Sequence, residues 1–319
     1  MRSTGISSIG QERKAVQLSL IKYVRVKPGK SFLGAPHLVR VHQGDWHSTA
    51  LVERRWFDQV WRTADSPLWL QECDGWVPAS WQMGWWCNLG QYARKVKAET
   101  GFPYIQYWNF QVPGTTWTVA HPNPVNGSEE DLRWGIDQIH RAGMRVTFYI
   151  QGLLWDPTSE GSSPEENVGH LQRRHLWPGW ELPAKGFAEQ WSARDEDGNP
   201  HAWSSTEVEM CYASKGFQEY KRHWAIDLLM KRLKLDGIYW DSLSHGRTCW
   251  ATSHGHNDDP GMWGIGAQQN HQLIYQMGRR LQPEAVFALE GPPSDTLGTI
   301  TDIHLDNAPN LEVVRFLFP

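Results

Sequence analysis

The chain has 319 residues, with 35 acidic against 31 basic side chains and a formal net charge of -4. That length buries a full core and fits one large α/β domain with a small extra module, or two average domains. The even charge balance, with no long run of either sign, argues against a nucleic-acid partner, and no apolar stretch of about 20 residues marks a membrane span.

The start of the chain is Ser/Gly-rich and polar up to Gln17, so no secretory signal is visible. Compartment and oligomeric state stay open. Residues 1–43 read as the end of an N-terminal β-rich domain, with strands over 18–26 and 37–42 separated by the turn signals Pro28-Gly29 and Gly34-Ala-Pro36. Residues 44–66 read as a linker helix: Asp45 is an N-cap candidate, and Leu51, Val52, Trp56, Val60 and Trp61 recur at helical spacing.

Residues 67–319 alternate strand and helix. Strands are expected over 68–72, 104–109, 145–151, 237–241, 286–290 and 313–318, and the clearest helices over 129–142, 217–233 and 266–281. Such alternation demands a parallel sheet with right-handed crossovers, and closing it gives an α/β fold of the TIM (β/α)-barrel type. A closed barrel needs about eight strands, so the expectation is a barrel truncated after about six and preceded by the end of a β-domain.

Between the third and fourth strands lies an insertion, 152–214, carrying Trp155, Trp177, Trp180, Trp191 and Trp203. Insertions after barrel strands sit on the C-terminal rim, so this one is expected to form a wall of a cleft. The chain holds 20 Trp. Trp stacks on sugar rings while its N–H stays free to donate, although about half of these belong in the core. Cys73, Cys87, Cys211 and Cys249 form no C-x-x-C pair and read as isolated buried thiols.

Two segments carry chemistry. Asp236-Gly-Ile-Tyr-Trp-Asp241 delivers Asp241 to a strand end, and Val286-Phe-Ala-Leu-Glu290 delivers Glu290 to the next, with Gly291 and two prolines following. Carboxyls on neighbouring strand ends are expected about 5–7 Å apart, which lets one act as nucleophile and the other as acid/base with retention of configuration. Repulsion between them, with burial against Trp240 or Trp263, would raise the pKa of one. The bland alternative is that Asp241 caps or pairs with its own loop.

These segments, with the lead-in Gly44-Asp-Trp46 and Arg55-Trp56, resemble the catalytic barrels of the α-galactosidase and endo-α-N-acetylgalactosaminidase group, and most of all an uncharacterised set of barrel domains beside the latter. The resemblance implies a glycosidase with Asp241 as nucleophile and Glu290 as acid/base, without a cofactor, acting on a carbohydrate substrate. In the α-galactosidase arrangement the acid comes from a later strand, which makes Asp295, Asp302 and Asp306 rivals to Glu290. Glu72, Asp74, Asn109, Gln151, Trp155, Trp240, His254, His256 and Trp263 are the expected substrate-binding residues. His254 and His256, followed by Asp258 and Asp259, also form an H-x-H pair of metal-ligand type. Lying in a loop rather than on a first strand, they are read as substrate contacts or loop order, with no metal expected. The competing functions are a carbohydrate-binding barrel without catalysis and a metal-dependent amidohydrolase.

Overall fold

A computed structural model describes residues 5–8, 16–19, 24–34, 39, 41–60, 65–80, 84–115, 118–161, 163–180, 182–243, 248–256, 259–290 and 300–305. Gly5–Ser8 (β1) pairs antiparallel with Val16–Ser19 (β2). The described part of 37–42 joins no strand; Val39 and Val41 are exposed there, so alternation alone had no surface to bury. Helix α1, Trp46–Val60, starts at Asp45, whose Oδ1 accepts from His47 N–H at 3.0 Å.

The expected first strand over 68–72 is instead a helical turn, Leu68–Gln71 (α2), set off by Pro67. A four-residue apolar run cannot distinguish strand from helix by period. The first barrel-type strand is Val77–Ala79 (β3), where Pro78 is tolerated because β3 is an edge. Helix α3 (Leu89–Thr100), β4 (Tyr104–Tyr107), α4 (Glu129–Arg141) and β5 (Arg145–Gln151) follow. Ser128 and Asp131 close a reciprocal capping box at the start of α4, which fixes where that crossover helix begins.

After β5 the insertion contributes two short hairpins, Leu154–Trp155 (β6) with Val208–Glu209 (β9) and Asn167–Val168 (β7) with Leu171–Gln172 (β8), and helix α5 (Phe187–Trp191). Lys215–Arg222 (α6) then widens into a π-helix, His223–Arg232, where a single α-helix is expected. Next come β10 (Gly237–Asp241), α7 (Met262–Leu281), β11 (Val286–Glu290) and β12 (Ile303–Leu305). The region expected as strand 313–318 lies outside the described residues; β12, three residues long, is the sixth strand described in the sheet and too short to stand out in sequence.

The six strands form one parallel sheet in the order β12-β11-β10-β5-β4-β3, which is chain order, as in a (β/α) barrel. Every residue of β4 is buried, as is nearly every residue of β5, β10 and β11; burial on both faces is why these strands read as apolar runs.

Alternation sorts the faces. Trp240 packs edge-on against His271 of α7 with centroids 4.8 Å apart, and Phe287 meets Tyr275 at 5.2 Å, so this parity faces the helices. Tyr149 and Tyr239 hold the other parity and pack on Trp108 at 5.4 and 4.8 Å. Gln151, Asp241 and Glu290, each two residues past Tyr149, Tyr239 and Ala288, therefore share the inner face.

Three of the insertion's five tryptophans, Trp155, Trp177 and Trp180, are buried rather than lining the expected wall, while Trp203 is exposed. Trp155 is fully buried amid Phe187, Trp191, Phe217 and Tyr220, and Trp177 and Trp180 pack on His121. The segment packs its aromatics against α6 and the loop after β4, as part of one hydrophobic core with the sheet.

Candidate active site

At the C-terminal end of β10, Asp241 Oδ2 accepts from the Tyr149 hydroxyl and from Gln151 Nε2, the latter at 2.9 Å. Gln151 is itself held: its Oε1 accepts from Leu153 and Leu154 N–H at 3.0 and 3.2 Å, and its backbone oxygen accepts from buried Lys221 Nζ at 2.5 Å. The start of the insertion thus orients the side chain that orients the acid. Gly152 lets the two strand ends approach. Its N–H donates to Asp241 O at 2.8 Å, and a Cβ there would lie 2.3 Å from that oxygen.

Glu290, one strand over, accepts from Ser242 N–H at 3.1 Å. Ser242 adopts φ 59°, a left-handed conformation costly for a residue with a Cβ, and this turn aims its N–H at the second acid. The Glu290 pKa is pushed up to about 7, first by a hydrogen bond with the Asp241 carboxyl, then by burial and the Asp241 charge. The two acids are thus neighbours, and a proton held by Glu290 relieves the repulsion between them.

Around them the inner face holds polar groups without partners among the described residues: both amide atoms of Gln106, the Trp108 Nε1 and the Tyr239 hydroxyl. Buried groups of this kind are costly unless a ligand or water meets them. None of these three residues stood out in sequence, nor did Tyr149, yet counting back by two from Gln151 and Asp241 reaches Tyr149 and Tyr239.

The other expected contacts divide. Gln151 joins the acids. Asn109, at φ 55°, lies just past β4 and donates to Ser80 Oγ at 2.5 Å, tying the ends of two strands. Glu72 and Asp74 are exposed and precede β3, on the N-terminal side of the sheet, because the strand they were to end is α2. Trp155 belongs to the insertion's core, and its Nε1 donates to Glu160 at 2.9 Å. Trp240 faces α7, so it cannot desolvate either acid. Trp263 donates to Met210 O at 3.1 Å and packs on Tyr212, anchoring the insertion.

His254 and His256 are buried together with Cys211 and Cys249, which are therefore neighbours rather than isolated thiols. Among the rivals, Asp302 accepts from Arg279, Ser66 and Phe287 N–H, at the start of a strand. Asp295, Asp306 and Asp258 lie outside the described residues.

Fold and site together define an α/β chain of six parallel strands in barrel order with paired acids at neighbouring strand ends. Residues 35–305 match the model of the family described as "Domain of unknown function (DUF6259)", and the chain belongs to that family. No curated protein matches the chain in sequence. Among solved structures it is similar to an α-N-acetylgalactosaminidase of Bifidobacterium bifidum in complex with GalNAc, at 11% identity and TM-score 0.56 over 83% of this chain and 43% of that one. An α-galactosidase of Thermus thermophilus in complex with stachyose gives 14% identity and TM-score 0.51, over 80% and 47%. A cycloalternan-forming enzyme of Listeria monocytogenes, with a pentasaccharide substrate, gives 12% and 0.51, over 80% and 24%. The chain spans less than half the length of each, and at these identities the likeness is one of fold.

Proposed function

We propose that the chain is a glycoside hydrolase module acting with retention, in which Asp241 attacks the anomeric carbon and Glu290 protonates the leaving oxygen. One observation carries the reading: two touching carboxyls on adjacent strand ends are treated unequally. Asp241 receives two side-chain donors, whereas Glu290 is pushed up to about 7 and holds the shared proton.

In the first step the Asp241 oxygen bonds to the anomeric carbon as the glycosidic bond breaks, and the Glu290 proton goes to the departing oxygen. In the second, Glu290 takes a proton from water, whose oxygen displaces Asp241. Carboxyls on adjacent strand ends suit a retaining pair, which works at roughly 5–5.5 Å, better than an inverting pair at roughly 6.5–9.5 Å. A glycosidic oxygen entering between them takes over the Glu290 hydrogen bond and parts the pair. The partnerless Gln106, Trp108 and Tyr239 supply groups for sugar hydroxyls.

The similarity to an α-galactosidase and an α-N-acetylgalactosaminidase makes aryl α-galactosides and α-N-acetylgalactosaminides the first substrates to try, with β-glycosides beside them. Asp241→Ala should abolish turnover of all. Glu290→Ala should keep the first step on activated aryl glycosides and respond to azide, which replaces the water that Glu290 activates. If Asp241→Ala stays active while Glu290→Ala is dead and unresponsive to azide, the roles exchange; if both match the unaltered chain, the site lies elsewhere.

A further inference from the structure

Cys211 follows β9, at the end of the insertion; Cys249, His254 and His256 belong to the loop after β10. The fold brings one ligand atom from each within 4.8 Å of the others, and all four residues are buried. The H-x-H pair and Cys249 share one loop, but Cys211 is 38 residues before Cys249 and joins them only through the fold.

Two features point to a ligand rather than to ordinary packing. The His256 ring is buried, only 4% exposed; among the described residues neither ring nitrogen makes a hydrogen bond of ordinary geometry, and the Cys249 thiol is the side chain that faces it. A neutral imidazole in that position forfeits about 1–3 kcal/mol for each unmet group. Cys249 Sγ also faces His254 Nδ1 at 3.4 Å, and a tetrahedral zinc site with ordinary Zn–S and Zn–N bonds has edges of about 3.3–3.8 Å. A disulfide between the cysteines would leave both histidines unexplained.

We propose that Cys211, Cys249, His254 and His256 bind one zinc ion in a closed, structural site that pins the insertion to the loop following the Asp241 strand. Two thiolates and two imidazoles suit zinc and fill its four positions, so no place remains for a water or substrate. Zinc entry releases the two thiol protons. The surroundings fit a clasp between two segments: Cys211 N–H donates to Trp191 O at 2.7 Å within the insertion, while Trp250 N–H reaches across to Arg194 O at 2.8 Å and His201 to Thr248 O at 2.9 Å. The proposal is independent of the acid pair.

The test is elemental analysis of the purified chain produced with added zinc, followed by titration with a mercurial in the presence of a chromogenic zinc chelator. About one zinc per chain should be found, and its release should follow the last two of the four thiols to react, after exposed Cys87 and half-buried Cys73. Cobalt in its place should give a tetrahedral ligand-field spectrum with thiolate charge transfer. His256→Ala and Cys249→Ser should lose the metal, His256→Cys should keep it, and Cys87→Ser, at an exposed thiol, should be without effect. If the alanine and serine variants fail to fold, the mercurial release and the cobalt spectrum of the unaltered chain still decide. Metal-free protein with either a Cys211–Cys249 disulfide or two free alkylatable thiols overturns the proposal. So does iron accompanied by acid-labile sulfide, or zinc retained by His256→Ala and Cys249→Ser.

Discussion

At the N-terminal end of the sheet, Asp236 accepts from His140 and Val146 N–H at 2.8 Å each and from Gln282 at 2.6 Å, while Asp302 accepts from Arg279 at 2.6 Å. At the C-terminal end, Asp241 and Glu290 lie against each other, beside a left-handed serine and polar groups without partners. The same side-chain type thus ties crossovers together at one end and is left poised at the other. An acid at a strand end therefore says little until its partners are counted: Asp236 and Asp302 are met by donors from neighbouring elements, whereas the Glu290 pKa is raised first by another acid, a pairing suited to proton transfer.

Removing a saturated acid should have the largest effect. Asp236→Ala unpairs His140 and leaves the Val146 N–H and the Gln282 amide buried without acceptors, so about 3–5 kcal/mol of stability should be lost in denaturant titrations. A loss below about 1 kcal/mol would erase the contrast between the two ends.

Tyr149→Phe removes a donor from Asp241 while keeping the ring that packs on Trp108. On the proposed chemistry kcat should fall about 10- to 100-fold with little change in stability, as for loss of one preorganised donor. Unchanged kcat would take Tyr149 out of the site.

Glu290→Gln should raise stability, with a pH signature. Because its pKa is raised from 4.5 to about 7, the folded chain holds a proton that the unfolded chain has released, and stability falls as pH rises through that window. The variant should match the parent below the window and exceed it above pH 7 by about 1–2 kcal/mol, after allowance for partial exposure. Thermal unfolding at the two pH values measures this; a gain at low pH would mean that repacking, not charge, is responsible.

The smallest effect belongs to His140. Its pKa is raised chiefly by the hydrogen bond to Asp236, so its contribution is complete below the unfolded value and is lost as pH rises through the higher folded one. His140→Gln should remove about 0.5 kcal/mol of pH-dependent stability there. The pH dependence of unfolding in the two proteins should differ in that range and nowhere else.

Sequence pattern located β5, β10 and β11 to the residue because each is an apolar run closed by a polar side chain, and those closing residues make up the proposed site. It misread α2 as a strand because four residues cannot carry a period, and passed over β3 and β12, whose three residues each are paired by neighbours rather than by their own propensity. Alternation within β5 and β10 held more than was taken from it: it puts Trp240 against α7 and Tyr149 beside Asp241. The metal-type cluster was out of reach, since Cys211 and Cys249 meet only through the packing of the insertion.

Lys221 sits where the insertion, α6 and the end of β5 converge, and burial pushes its amine down to about 7. In mildly alkaline solution that amine is largely uncharged and so a stronger nucleophile toward acylating reagents than the protonated lysines at the surface, yet no reagent can touch it while the seam is shut. It is a built-in chronometer. The rate at which an anhydride marks Lys221, set against the rate at surface lysines, reads out how often the insertion lifts from the strand that carries Gln151.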